Sequence, residues 1–391
     1  MPSGGSGAAG ATLTVLGLLR PSGGAWAAAA RRWEPQGAQR RPCSSGPPWR
    51  LLFFGSDLFA VESLRVLAGD RTGADGTVSS LEVVTLGDDL PVADFARREG
   101  LRLHRWPPAD VGGRFDVGVV VSFGRLLQQK LIEQFPRGVL NVHPSLLPRW
   151  RGPAPIFHTI LNGDAVTGVT IMQIRPHRFD AGPILNQTLH RVPESSTADE
   201  LADVLAAKGA RLQLLDTLRT LPQKMAEKRE QSRAGATLAP KMRASASRLL
   251  WDEQTCEQIE RLYRAIGSRI PLRSTWMGAS IKLLDFAGRC HISAADERGE
   301  GPPPGSVTFR KESDTLAVRC KDGWVGFKAV VLRKRLTAAD FYNGYLHRET
   351  RPHAAAFVSP PEGRTDGVDS PGARRVRPQK DARCFLTNGE R

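Results

Sequence analysis

Short apolar runs separated by polar helical stretches recur along the first part of the chain. Residues 50–55, Arg-Leu-Leu-Phe-Phe-Gly, predict a buried strand turning at Gly55, and the apolar spacing of residues 58–67 predicts a helix after it. Residues 81–85, 116–123 and 138–142 predict further strands, with a helix over residues 126–135 before the last of them. Such alternation predicts an α/β domain with a Rossmann-like, mainly parallel sheet. Residues 168–174 follow as another strand. Residues 197–221 carry Leu201, Leu205, Leu212, Leu215 and Leu218 and predict a long helix, capped by Thr197 ahead of Glu200.

The pattern then changes. Residues 222–248 lose periodicity while Lys224, Lys228, Arg229, Arg233, Lys241, Arg243 and Arg248 accumulate, which predicts a basic linker. From Trp251 a helix runs through Ile259, Leu262 and Ile266. Short strands at 281–284, 305–307, 316–320, 324–327 and 330–332 follow, divided by turns such as Lys321-Asp322-Gly323. Several short strands with glycine turns predict a small β-barrel. The divisions are therefore residues 1–48, 49–221, 222–248, 249–350, and a Pro-, Gly- and Arg-rich tail at 351–391 predicted to be disordered.

Composition sharpens the ends. Residues 1–48 hold Arg20, Arg31, Arg32, Arg40 and Arg41 against Glu34 alone, the arginine-rich, acid-poor make-up of an organelle transit peptide. No apolar run is long enough to cross a bilayer, so no membrane insertion is expected. The whole chain carries a formal charge of +15, of which the leader supplies +4 and the remainder +11. An excess of that size draws polyanions, a tRNA among them. Cys43, Cys256, Cys290, Cys320 and Cys384 are scattered without CxxC spacing, so neither a zinc signature nor a disulfide framework is predicted.

The candidate chemistry lies at residues 141–148, Asn-Val-His-Pro-Ser-Leu-Leu-Pro. Residues i and i+2 of a strand share a face, so Asn141 and His143 project together beyond the strand's carboxyl end. Open α/β sheets bind their ligands there. A histidine at a strand end is more often structural, but Asp180 follows a second strand and can reach the same sheet end. Gly55-Ser56-Asp57 fits neither GxGxxG nor a phosphate loop and is read as a tight turn into a helix cap. Ser145 lacks the GxSxG setting of a nucleophile.

Together with Gly163-Asp164, residues 167–172 (Thr-Gly-Val-Thr-Ile-Met) and Asp180-Ala181-Gly182, the 141–152 run resembles the folate-dependent formyltransferases, a likeness that extends over about residues 50–347. The resemblance implies that Asn141, His143 and Asp180 are catalytic and that 10-formyltetrahydrofolate is the formyl donor, with no metal. It implies that initiator methionyl-tRNA is the acceptor, in the mitochondrial matrix, with the protein a monomer. It places Ser145, Leu146, Leu147 and Pro148 against the folate, with Phe123, Gly124, Arg125, Leu126 and Leu127 and the 174–182 loop around the pterin. It makes the second domain an OB-like barrel that contacts tRNA, the linker lying near the same ligand.

Arg149 and Arg151 are then candidates for substrate phosphate, with Lys241 of the linker and Arg333, Lys334 and Arg335 at the end of the last barrel strand, near Phe341, Tyr342 and Tyr345. Those aromatics serve equally well as barrel core. Two features depart from the family pattern. Pro144 stands where many members have Gly, and the segment after Thr85 is short and acidic (Asp88, Asp89) where bacterial relatives carry a longer basic loop. Another formyltransferase of the same donor, a hydrolase of that donor, and a non-catalytic RNA-binding module remain the alternatives at this stage.

Overall fold

The computed structural model describes residues 45–71, 73, 76–109, 111–292, 302–347 and 356–360. Most of the expected leader and nearly all of the expected tail lie outside them. The first sheet is built from β1 (Trp49–Gly55), β2 (Val78–Thr85), β3 (Arg102–Arg105), β4 (Val117–Val121), β5 (Val139–His143), β6 (Val166–Gln173) and β7 (Ile184–Arg191). Its order is β3-β2-β1-β4-β5-β6-β7. The first five strands pair in parallel and the last two antiparallel. β1 and β4 are fully buried along almost their whole length, as a parallel sheet covered on both faces requires.

Because the chain lays β2 and β3 on one side of β1 and β4 and β5 on the other, the strand order reverses at β1 and β4. The crevice outside their carboxyl ends is where such sheets take ligands. Gly55, Ser122 and His143 all stand at that end.

Helices α1 (Leu58–Arg71), α2 (Pro91–Arg98), α3 (Gln129–Ile132) and α4 (Pro155–Leu161) connect these strands. The helix expected over 126–135 shrinks to the four residues of α3. Phe123 and Leu127 are instead pinned from an irregular segment into the cluster around Phe54 and Phe135, and Gly124 turns the chain at φ 77°. Phe123 meets Phe54 and Trp106 edge-on at 5.5 and 5.1 Å.

The long helix after residue 197 starts as expected, with a reciprocal capping box between Thr197 and Glu200. It runs as α5 (Ala198–Lys208), one π turn (Gly209–Leu214) and α6 (Leu215–Arg219). It stops at Thr220, where α7 (Leu221–Ala226) begins with a proline in its first turn. The next helix, α8 (Cys256–Ile266), begins later than Trp251 because Thr255 and Gln258 form a second capping box.

The second sheet comprises β8 (Leu272–Trp276), β9 (Ala279–Cys290), β10 (Val307–Arg310), β11 (Thr315–Cys320), β12 (Gly323–Val331), β13 (Arg335–Thr337) and β14 (Phe357–Val358), with α9 (Ala338–Phe341) following β13. Its order is β10-β11-β12-β9-β8-β14, with β13 on β12. A bridge between Ser306 and Ala356 and a bond from the Phe357 amide to the Gly305 carbonyl join the two ends. These contacts curl the sheet toward a small barrel, with its first and last strands meeting at one end.

The segment expected to be a basic connector is fastened along the first sheet. Arg229 exchanges both backbone bonds with Ile184, and the Thr237 carbonyl and Ala239 amide pair with Arg151. Basic side chains mark its solvent face, while its backbone serves as a strap.

Candidate active site

The register of β5 sets Asn141 and His143 on one face, and the loop from Gln173 to Ile184 brings Asp180 over them. Asn141 Nδ2 donates to Asp180 Oδ1 at 3.2 Å. His143 Nε2 stands 3.4 Å from Asp180 Oδ2, without a well-directed hydrogen bond. The Gly152 amide donates to the same Oδ2 at 2.9 Å. One carboxylate thus touches both candidate partners.

The backbone works to hold it there. Asp180 has φ 45°, a left-handed conformation uncommon for a residue with a side chain. Two residues on, a Cβ at Gly182 would stand 1.8 Å from the Gln173 carbonyl oxygen, so only glycine lets the loop close on β6. Gly152 has φ 125° and leaves room for the Ala239 carbonyl, which a Cβ would meet at 2.6 Å.

Burial pushes the Asp180 carboxyl up, but the charge of His143, the hydrogen bond from the Gly152 amide and the charge of Arg151 prevail and leave it below the usual carboxylate range. Ser145 Oγ lies 3.0 Å from His143 Nδ1 and donates to the Arg149 carbonyl at 2.7 Å. A hydroxyl has one proton to give, so Ser145 accepts from Nδ1–H, and Nε2 is the nitrogen that faces Asp180. Ser145 is completely buried and thereby orients the imidazole.

The other residues singled out from the sequence differ in exposure and in partners. Gly124, Arg125 and Leu126 are exposed and Leu146 and Pro148 half-buried, whereas Phe123, Leu127 and Leu147 are core residues. Arg149 grips Asp164 with Nε and Nη2 at 2.8 and 2.6 Å and lies over the Trp150 ring, and this pairing raises its pKa. Arg151 is bonded to Gln231. Both guanidinium groups therefore have protein partners. Lys241, Arg333 and Lys334 are exposed, and Arg335 pairs with Asp285 at 2.5 Å. Of the barrel aromatics, Phe341 is core and Tyr342 stacks on Phe309, while Tyr345 stacks on Phe341 and stays partly exposed. In the short segment after β2, Asp88 is paired with Arg97 and Arg105.

The sequence pattern carried no sign of the Gly152 amide, of the orienting role of Ser145, or of Gln231, which meets this loop from 51 positions away. Nor did spacing reveal that Cys256, at the start of α8, and Cys320, at the end of β11, lie 3.3 Å apart beside Asp322. Burial pushes the Cys320 thiol up to about 12, which keeps it protonated.

Residues 113–216 match the family described as formyl transferase, and residues 241–346 match the formyl transferase C-terminal domain. The mitochondrial methionyl-tRNA formyltransferase of Homo sapiens is 54% identical over 309 residues, 77% of this chain and 79% of that protein. That of Bos taurus is 50% identical over 345 residues, 85% of this chain and 87% of its own. Among solved structures, the sugar 3N-formyl transferase WlaRD, crystallised in the presence of dTDP and 5-N-formyl-THF, shares the fold with a TM-score of 0.51 at 16% identity. That likeness covers 74% of this chain and 99% of WlaRD.

Proposed function

The chain belongs to the methionyl-tRNA formyltransferase family, and from that premise we propose that Asn141, His143 and Asp180 transfer the formyl group of 10-formyltetrahydrofolate to the amino group of methionyl-tRNA. The observation that carries this reading is the single carboxylate of Asp180 meeting both Asn141 and His143 at the carboxyl end of β5.

The neutral amine attacks the formyl carbon, whose carbonyl oxygen becomes an oxyanion. The bond to folate N10 then breaks, the amine nitrogen loses a proton, and N10 gains one. Asn141 has a second Nδ2 hydrogen beyond the one given to Asp180, and a donor of this kind is worth ~2.7 to 4 kcal/mol at a developing oxyanion. His143, with Nδ1–H fixed by Ser145, exchanges its proton at Nε2. Asp180 remains ionised beside it.

The site's position outside β1, β4 and β5 supports a folate lying along residues 145–148, with exposed Gly124, Arg125 and Leu126 at its edge. Residues 49–221 form the catalytic domain in this reading, residues 222–248 the linker, and residues 249–350 the barrel that engages tRNA. Lys241 of the linker and Arg333 and Lys334 of the barrel, all exposed, are the phosphate contacts, while Arg149 and Arg335 exchange their present partners for phosphate and Arg151, kept on Gln231, holds the loop beside them. The relatives' names and the arginine-rich leader support a mitochondrial location and methionyl-tRNA as acceptor; the matrix as compartment and the initiator tRNA of translation as substrate are the finer part of this proposal.

Incubating the protein with 10-formyltetrahydrofolate and charged methionyl-tRNA tests the reading, with uncharged tRNA and free methionine as controls. Formylmethionyl-tRNA is expected in the first mixture alone. Formate release that ignores the tRNA would make the enzyme a hydrolase instead.

A further inference from the structure

Gln231 lies in the strap between the two sheets, yet its side chain is spent on the active-site loop. Its Nε2 donates to the carbonyl oxygens of Asp180 and Gly182, each at 2.8 Å. Its Oε1 accepts from Arg151 Nε at 3.0 Å and Nη2 at 2.7 Å. A primary amide has two hydrogens and two lone pairs, so its capacity is fully used.

These contacts converge on one turn. The two carbonyls gripped by Nε2 lie on either side of Ala181, and the first belongs to Asp180, held at φ 45°. A left-handed backbone at a residue with a side chain is strained and persists only where neighbours over-determine it. The Gly152 amide fastens the carboxylate from the opposite side. Gln231 cannot swing away, because Arg229 before it and Thr237 to Ala239 after it are bonded to Ile184 and Arg151.

We propose that Gln231 is a positioning residue for formyl transfer: by bridging Arg151 to the Asp180–Gly182 turn, it holds the Asp180 carboxylate against Asn141 and His143. The strap is then part of the active site as well as the route to the barrel. The proposal rests on the catalytic reading given above. Arg151, the other group Gln231 holds, is among the charges that keep the Asp180 carboxyl ionised despite its burial.

The geometry also says what each substitution removes. Gln231→Met keeps the length and bulk of the side chain and loses all four bonds. Gln231→Glu keeps an acceptor for Arg151 but turns a carboxylate oxygen toward two carbonyls, so the turn is repelled rather than held. Gln231→Asn keeps the amide and falls one methylene short of the turn.

Single-turnover formyl transfer, the KM of each substrate and the melting temperature are measured for these three proteins and the wild type. A displacement of about 1 Å in a reacting group costs roughly a hundredfold. The expected result is a rate lowered roughly tenfold to a hundredfold in Gln231→Met and Gln231→Glu, with the KM for the formyl donor changed less than about threefold. If Gln231→Met does not fold, the same split is read from Gln231→Glu and Gln231→Asn. Folded variants with wild-type rates would overturn the proposal, and so would a donor KM that rises as far as the rate falls. A wild type that formylates nothing would instead remove the catalytic reading beneath it.

Discussion

Ser145 Oγ sits between His143 Nδ1, at 3.0 Å, and the Arg149 carbonyl, at 2.7 Å, and its one proton goes to the carbonyl. The imidazole is therefore held with Nδ1 protonated and Nε2 turned to Asp180. Ser145→Ala removes the acceptor and leaves a buried Nδ1–H unpaired, so the ring is free to take the other tautomer. We expect kcat to fall roughly tenfold to a hundredfold, inside the ~10²–10⁴ that positioned acid–base catalysis supplies. A Ser145→Ala enzyme with unaltered kcat would show that the ring is oriented without Ser145.

Asp57 caps α1 through a 3.0 Å bond from the Ala60 amide and is almost wholly buried. Burial pushes its carboxyl up to about 7, against the amides of Ala60 and Phe59, the Ser122 hydroxyl and the charge of Arg269. In the unfolded chain an aspartate titrates near ~3.9. Between those values the folded state holds the proton and the unfolded state does not, so stability falls as pH rises, until the folded group has also ionised. Asp57→Asn keeps a capping oxygen and removes the charge. Thermal melts should show the variant gaining on the wild type between about pH 4 and about pH 7 and holding that gain above it. A gap that stays constant over that range would mean Asp57 is solvated in the folded protein.

Arg333 and Lys334 are exposed at the end of the barrel strands, whereas Arg335 is paired with Asp285. If they meet tRNA phosphates, replacing both with Ala raises the KM for methionyl-tRNA and leaves that for folate unchanged. The log–log salt dependence of tRNA binding should become shallower by about 1 for each lost contact. Arg335→Ala should have the smaller effect. An unaltered tRNA KM in the double variant would move the binding surface elsewhere.

Much of this arrangement was legible from residue patterns, for physical reasons that also explain what was not. The strands of residues 50–55, 116–123 and 138–142 announce themselves because a doubly covered parallel sheet demands continuous apolar runs. Asn141 and His143 share a face through the two-residue period of the strand. Asp180 was reachable because it follows a strand of the same sheet. The strap was misleading, since its order comes from backbone bonds to Ile184 and Arg151, and backbone bonds leave no mark on composition. Gln231 was invisible for a related reason: its partners are two carbonyls and a guanidinium set by the fold. The helix expected at 126–135 failed where Phe123 and Leu127 pack as anchors of a loop, a use of apolar residues that periodicity cannot tell from a helix face.

The central claim is that His143, poised by Asp180 and Ser145, moves the proton in formyl transfer. Its most direct test is the single-turnover rate of His143→Ala with saturating 10-formyltetrahydrofolate and methionyl-tRNA, set beside that of Asp180→Asn. The account predicts that both rates drop by roughly 10²-fold or more, the contribution expected of a positioned acid–base group, while melting shows folded protein. A near-normal rate in His143→Ala would contradict it.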